Sequence, residues 1–227
     1  MLIPRIFHLY RDRSSFFIEL LIQHIYITWL AVLFISVIGL TTGILMTRNQ
    51  WLAGIVLRIT SFLYTIPSIA LFGVLVSITG IGLKSALIAI VLYGLLPMIR
   101  STYTGLMEVD REVVEAAVGM GSTSTQLLFR IQLPLALPII FNGFRTMVVM
   151  IIALTGIASF IGAGGMGRAI WRGISTNFPE MTIAGSLLIA ALAIITDYIL
   201  EWIEKVVRRV YLGERGEEYD RKRKKIA

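Results

Sequence analysis

The stretch EAAVGMGSTSTQLLFRIQLP, residues 115–134, is the one long polar interruption between segments that are otherwise apolar enough to be lipid-embedded helices. A helix starting near Asp110 would carry one apolar stripe, because apolar residues recur there with helical spacing. Gly119 and Gly121 are expected to end this helix. The stripe consists of Val113, Ala116, Ala117 and Met120.

A second short helix is predicted directly after this glycine corner. Thr123 and Gln126 have the spacing of a capping box, which starts a helix that we expect to run through Ile131. Pro134 is expected to close it before the next membrane span. The stretch therefore predicts a compact helix-turn-helix on one face of a membrane protein, stiff enough to seat in a groove on a soluble partner.

The composition indicates an integral membrane protein. The chain has 227 residues, of which 56% are hydrophobic and 15% charged, with a mean hydropathy of +0.81. Its net charge of +7 is concentrated near the C-terminus. We therefore predict a basic cytoplasmic tail at residues 210–227 that touches anionic lipid, and no nucleic-acid binding. The basic residues concerned are Lys205, Arg208, Arg209, Arg215, Arg221, Lys222, Arg223, Lys224 and Lys225.

Residue types that hold metals are scarce in the sequence. With no cysteine there is neither a disulfide framework nor a thiolate metal site. Both histidines, His8 and His24, precede the first uncharged run, so a buried histidine site is not expected. No metal is expected in this chain.

Long apolar runs, two of them without any charge, predict about five transmembrane helices in an all-α fold. Residues 1–24 are predicted to form an interfacial amphipathic segment, with a sixth span at residues 15–24 as the alternative. Residues 25–209 would then form the transmembrane domain, including a docking loop at 110–134. The predicted spans are 25–47, 59–83, 84–106, 135–160 and 181–203.

Three residues inside the predicted spans are candidates for the solute pathway or for packing. Pro67 is expected to kink the second span, and a packing role and a place in the pathway wall are equally open. Placing the charged side chain of Arg145 within a membrane costs free energy unless the charge is paired or hydrated. Asp197 at similar depth in the fifth span is its predicted partner, a structural pairing being favoured over contact with a solute.

Residues 162–167, GAGGMG, match the dinucleotide-binding pattern G-x-G-x-x-G. That pattern requires a preceding β-strand, whereas here it follows a membrane span. We therefore predict a tight turn on the outer side and then a short helix holding Trp171 and Arg172. If the docking loop and the basic tail are cytoplasmic, five spans place the N-terminus outside, against the positive-inside tendency of its three arginines.

The docking loop resembles a known motif over a spaced set of positions. Its pattern is similar to the cytoplasmic EAA loop of ABC importer permeases, the coupling helix that docks on the ATPase subunit. By this resemblance we expect the carboxylate of Glu115 to meet a basic residue of the ATPase, and Gly121 to set the corner angle. Ala116 and Ala117 would allow close seating. The matching positions are Glu115, Ala116, Ala117, Gly121, Ile131, Leu133 and Pro134.

Further stretches widen the resemblance to most of the chain. They are similar to permeases of glycine betaine, carnitine and choline uptake systems, which have the methionine-importer-like type I fold. The stretches are YTIPSIALFGVL (64–75), GLLPMIRSTYTGL (94–106), LPLALPIIFNGFRT (133–146) and ASFIGAGGMGRAI (158–170). The resemblance implies a quaternary-ammonium osmoprotectant as solute, transported by alternating access across a bacterial cytoplasmic membrane.

The same resemblance implies partners and a non-catalytic role. Two permease subunits, identical or paralogous, would form the pathway, with two ABC ATPase subunits below and an extracytoplasmic substrate-binding protein above. ATP and Mg²⁺ would bind the ATPase, because this chain has no phosphate loop with lysine. The alternatives are an importer of another zwitterion or of an amino acid such as methionine, a secondary transporter, and a membrane scaffold.

Overall fold

The computed structural model describes residues 2–212, and within that range the chain folds into ten α-helices without a strand. Residues 213–227, with most of the predicted basic tail, lie outside the described residues. The helices are α1 (Leu2–Asp12), α2 (Ser14–Met46), α3 (Gln50–Thr65), α4 (Ser68–Thr79), α5 (Leu83–Met107), α6 (Arg111–Gly119), α7 (Ser124–Leu127), α8 (Leu133–Ala158), α9 (Gly167–Ser175) and α10 (Pro179–Leu212).

Five segments correspond to the five predicted spans. Helices α2, α5, α8 and α10 are each long and apolar enough to cross a membrane. The pair α3–α4 passes the same test jointly, although its two halves are bent by 98°. The prediction of an all-α membrane protein with about five spans is confirmed, the second span being in two pieces.

Pro67 breaks the second span rather than kinking it. Proline disfavours helical backbone at the preceding residue, and Ile66 is accordingly extended at φ −70°, ψ 128°. Helix α3 therefore ends at Thr65, and α4 begins at Ser68 in a new direction. Pro67 itself is exposed in the single chain. In place of the predicted kink there is thus a bend of 98° between two separate helices.

The first span begins earlier than predicted. Helix α2 starts at Ser14 and runs without interruption through the expected boundary at Ile25, because no proline or glycine stands between these residues. The alternative of a separate sixth span at residues 15–24 is therefore wrong. Helix α1 packs beside the start of α10, where the hydroxyl of Tyr10 donates to the carbonyl of Ala184 at 2.8 Å.

Helices α2, α5 and α8 form the main core. Ile35, Ile90 and Ile151, one from each of these helices, are completely buried. The missing side chain of Gly39 lets α2 approach α5 closely, because a Cβ added there would lie only 2.6 Å from the side chain of Met98. This glycine therefore serves packing between the two helices.

The two ends of the bundle are distinct. At one end the backbone N–H of Gly82, before α5, donates to the carbonyl of Ile161, after α8, at 2.9 Å. At the other end Met46 and Ala53 pack together with Ile99, and α5 leads into the loop at 110–134. We call this second end the docking end, and the first the far end.

Candidate functional site

The first short helix of the docking loop, α6, ends in a glycine-dependent reversal. Gly121 has φ +86°, in the left-handed region that glycine adopts without strain. Its N–H donates to the carbonyl of Val118 at 2.9 Å, and the N–H of Ser122 donates to the carbonyl of Ala117 at 3.1 Å. These paired bonds form a Schellman motif. The predicted end of the helix is confirmed.

Side chains cap the starts of both short helices. The carboxylate of Asp110 accepts from the backbone N–H of Glu112 at 2.9 Å at the start of α6. Before α7, the N–H of Thr123 donates to Oε1 of Gln126 at 2.9 Å, and the N–H of Gln126 donates to Oγ1 of Thr123 at 3.3 Å. The predicted capping box is confirmed, so both helices have defined first turns.

The second short helix does not end at Pro134. Instead a π-helical turn, Leu128–Gln132, joins α7 to α8, and the N–H of Leu133 donates to the carbonyl of Leu128. A proline in an ordinary helix clashes with the carbonyl four residues earlier, and the wider turn relieves that clash. The prediction that Pro134 closes the helix is therefore wrong. Residues 124–161 form one helical rod from the docking loop to the far end.

The predicted coupling residues share one corner but differ in exposure. Glu115, Ala116 and Gly121 are exposed, whereas Ala117 is 1% exposed and packs within this chain. Ile131, Leu133 and Pro134 are partly buried. Only Ala116 of the two alanines is therefore open to a partner. Four large apolar side chains also face outward around this corner: Val113, Val118, Met120 and Phe129.

A shallow cavity of about 330 Å³ lies beside the exposed corner. It is lined by Met120, Gly121, Ser122, Gln126, Arg130 and Ile131. Met120, 81% exposed, stands at its edge. The docking loop thus presents an apolar rim and a polar recess, which suits a protein partner better than lipid.

Arg145 of α8 makes the ion pair that the sequence predicted. Its Nε and Nη2 hold the two carboxylate oxygens of Asp197 in α10, the Nη2–Oδ2 distance being 2.7 Å. The guanidinium also lies 3.3 Å from Oε2 of Glu201 and 3.7 Å from Oε2 of Glu204. One cation in the membrane therefore meets three carboxylates.

Two further cations extend this charge network within the described residues. Lys205 lies 2.6 Å from Glu201, and Arg208 lies 3.0 Å from Glu204. Arg145 of α8 and five side chains of α10 therefore form one network of three positive and three negative groups, in which Arg145 joins the two helices. Sequence analysis missed Glu201 and Glu204 as partners, although the spacing of residues 197, 201 and 204 places them on one helix face.

His24 is completely buried, contrary to the prediction that it precedes the first span. The N–H of Met166 donates to its Nδ1 at 3.3 Å, so the ring proton is on Nε2, which lies 3.0 Å from the carbonyl of Ile152. This neutral ring connects α2 to α8 and to the turn before α9. The burial follows from the early start of α2, which the composition of residues 14–24 did not reveal.

The glycine-rich segment at 162–167 forms a turn at the far end. Gly162, Gly164 and Gly165 have φ between +81° and +90°. The predicted turn and the short helix α9 that follows it are confirmed, and the turn is preceded by helix α8, not by the β-strand that the dinucleotide-binding pattern requires. A cavity of about 870 Å³ opens beside α9 and is lined in part by Trp171 and Arg172.

Comparison with known proteins agrees with this architecture. The family model for the binding-protein-dependent transport system inner membrane component matches residues 35–209. The osmoprotectant import permease protein OsmW of Salmonella typhimurium is 42% identical over 88% of this chain and 95% of its own length. The glycine betaine/carnitine/choline transport system permease protein OpuCD of Bacillus subtilis is 36% identical over 87% of each chain.

A longer relative and solved structures extend the comparison. The ergothioneine transport permease/ergothioneine binding protein EgtU of Helicobacter pylori is 45% identical over 72% of this chain, which spans only 30% of that protein. An inward-facing structure of the MetNI methionine ABC transporter superposes with a TM-score of 0.77 over 86% of this chain and 98% of its own, at 22% identity. That likeness concerns the fold alone. On the family match and the identities with full-length permeases, this chain belongs to the binding-protein-dependent transport system inner membrane components, the permeases of ABC importers.

Proposed function

We propose that this permease serves an ATP-driven importer of small trimethylammonium osmoprotectants such as glycine betaine, choline and carnitine. The observation that carries the proposal is the match to OsmW, because it covers nearly the whole of both chains at 42% identity. The Bacillus subtilis relative named for these three solutes supports it at 36%. A match of this extent favours the same role in the transporter, not merely a shared domain.

Ergothioneine is a second candidate solute. The relative that transports it is 45% identical to this chain over the matched residues. Ergothioneine is itself a betaine, with a trimethylammonium group and a carboxylate. The shared chemistry of all these solutes is therefore the quaternary ammonium group, which proteins bind through aromatic rings. Methionine, an amino acid without that group, is the less favoured solute.

The docking loop is the proposed contact for an ABC ATPase subunit. The apolar side chains of its exposed rim would be buried by contact with a protein surface, and the carboxylate of Glu115 lies beside them. ATP and Mg²⁺ would bind the ATPase subunit, whereas this chain provides the mechanical contact. A second permease subunit, identical or paralogous, and an extracytoplasmic substrate-binding protein complete the proposed assembly in a bacterial cytoplasmic membrane.

The helical rod suggests how the coupling works. Closure of the ATPase dimer displaces the corner at Gly121, and the rod at residues 124–161 carries that displacement to the far end. Helices α5 and α8 are packed so closely that they move together. A Cβ added to Gly143 of α8 would lie only 1.9 Å from Oγ of Ser101 in α5. The pathway then opens alternately to the two sides.

The test is reconstitution of this chain with its ATPase and its substrate-binding protein in liposomes. We expect the ATPase to co-purify with the permease, and the solute-loaded binding protein to stimulate ATP hydrolysis. Uptake of radiolabelled glycine betaine should be inhibited by unlabelled choline, carnitine or ergothioneine, but not by methionine. The pattern of competition ranks the trimethylammonium solutes.

Three results would overturn the proposal. Competition by methionine alone would assign the permease to an amino-acid importer. Uptake driven by an ion gradient without ATP would indicate a secondary transporter. Failure of the chain to bind any ATPase subunit would indicate that it is a membrane scaffold and not a transporter subunit.

A further inference from the structure

The break between α3 and α4 lies near mid-membrane. The carbonyl of Ile66 accepts a hydrogen bond from the hydroxyl of Tyr93 in α5. Tyr93 is ten residues after the start of α5 at Leu83 and fourteen before its end at Met107. At 1.5 Å per residue these separations are ~15 Å and ~21 Å. The break therefore lies well inside the hydrocarbon layer.

This face of the chain cannot be in contact with lipid. Tyr64, Thr65 and Pro67 around the break are exposed in the single chain. Irregular backbone at membrane depth persists only where protein buries it or where it lines a water-filled cavity, because lipid tails cannot satisfy the free backbone groups. The exposed face of the break must therefore be covered by protein or line a water-filled cavity, and a second permease subunit across the pathway would provide either.

Two aromatic rings stand at the break. The rings of Tyr64 and Tyr93 have centroids 5.8 Å apart and are tilted by 58°. The bond to Ile66 fixes Tyr93, and the hydroxyl of Tyr64 lies 3.5 Å from Sδ of Met150 in α8. Tyr64 remains 45% exposed, so part of its ring is available to a passing solute.

Arg100, two helical turns along α5 from Tyr93, has no ionic partner among the residues that the structure describes. Arg100 is therefore on the same face of α5 as Tyr93. Its Nη2 donates to Oγ of Ser61 at 3.3 Å, it is exposed, and no carboxylate of the described residues lies in ion-pair range. Ser61 and Tyr64 are three residues apart on α3, hence about 5–6 Å apart on its surface.

We propose that Tyr64 and Arg100 form a transit site for a trimethylammonium carboxylate, with the buried ring of Tyr93 packed against Tyr64. The exposed ring of Tyr64 receives the quaternary ammonium group by cation–π contact, and the guanidinium of Arg100, held at Ser61 one helical turn before Tyr64, receives the carboxylate. The assignment rests on the solute class proposed above. It adds that the permease itself, not only the binding protein, discriminates between solutes that carry a carboxylate and choline, which does not.

The experiment measures uptake of radiolabelled glycine betaine and radiolabelled choline by reconstituted complexes supplied with one preparation of binding protein. We expect Arg100→Gln to lower the ratio of glycine betaine uptake to choline uptake at least about ten-fold. We expect Tyr64→Leu to reduce uptake of both solutes, and Tyr64→Phe, which keeps the ring, to retain it. Because the binding protein is identical in every arm, a changed ratio originates in the permease.

Matched controls replace the same residue types elsewhere. Arg48→Gln, at the exposed turn between α2 and α3, and Tyr198→Leu, 69% exposed on α10, should leave both rates unchanged. An unchanged ratio in Arg100→Gln, or equal loss in Tyr64→Phe and Tyr64→Leu, would overturn the transit site and indicate that a second subunit simply covers this face. If the unaltered complex transports neither solute, the proposed function fails instead.

Discussion

Arg145 shows how one charged residue can be retained within a membrane span. An arginine at this depth needs compensation, and three carboxylates from a single face of α10 supply it. Lys205 and Arg208 then balance the two surplus carboxylates. The six side chains described here form one connected network, so each member depends on the others.

Replacing Arg145 by glutamine should destabilise the permease by about 2 kcal/mol. This lies between the ~0–1 kcal/mol of surface pairs and the ~3–5 kcal/mol for breaking a buried pair, because the Arg145 side chain is 22% exposed. The measurement is the unfolding temperature of the purified protein in detergent, with Arg48→Gln as the control. An unchanged unfolding temperature would contradict a stabilising network.

Exchanging the two charges tests the pairing itself. In the double variant Arg145→Asp, Asp197→Arg the new aspartate faces Glu201 and Glu204, so we expect only partial recovery relative to Arg145→Asp. A double variant no more stable than either single variant would show that residues 145 and 197 do not interact.

Gly143 allows a second test at the scale of one residue. An added Cβ would lie 2.2 Å from Cβ of Ser101, so Gly143→Ala should separate α5 from α8 and cost about 1–3 kcal/mol. Gly73→Ala in α4 is the control, because nothing lies within 4 Å of the added carbon. Comparable unfolding temperatures for the two variants would rule out close α5–α8 contact at this glycine.

At the scale of elements, the docking corner could be predicted in detail. Local signals determine its glycine-dependent reversal and its capping box, since the bonding partners are at most five residues apart. The π-helical turn at 128–132 could not be predicted. Pro134 is compatible both with a helix end and with a widened turn, and packing of the rod decides between them.

The corner angle is testable without altering any contact. Gly121→Ala adds a methyl group with no atom within 4 Å, yet its φ of +86° costs a non-glycine residue about 1–2 kcal/mol. We expect a loss of ATPase stimulation by loaded binding protein while the permease stays folded. The control is Gly119→Ala, which also has nothing within 4 Å but is helical. Equal stimulation in both variants would argue against a coupling role for the corner.

At the scale of the whole molecule, the number of spans was predictable but long-range contacts were not. Each span is an apolar run long enough to cross the hydrocarbon layer, so it is visible in the sequence. The break at Pro67 is completed by Tyr93, whose hydroxyl reaches a carbonyl 27 residues away. His24 depends on partners 128 and 142 residues distant. Such separations leave no pattern in a local window of sequence.

Topology provides a test at this scale, because the chain contains no cysteine and each variant carries a single one. With the docking end cytoplasmic, Ser122→Cys should react with an impermeant maleimide only after the membrane is opened. His8→Cys in α1 and Ser175→Cys in α9 should react in intact spheroplasts. The reverse labelling pattern would place the docking loop outside and exclude coupling to a cytoplasmic ATPase.

The charge network also constrains the order in which this protein can be made. Arg145 emerges from the ribosome 52 residues before Asp197, which at about 5–20 residues per second is a delay of several seconds. During that interval α8 carries an unneutralised cation. Because an unpaired arginine is costly within a membrane, we expect α8 to become stably inserted only after α10 has followed it.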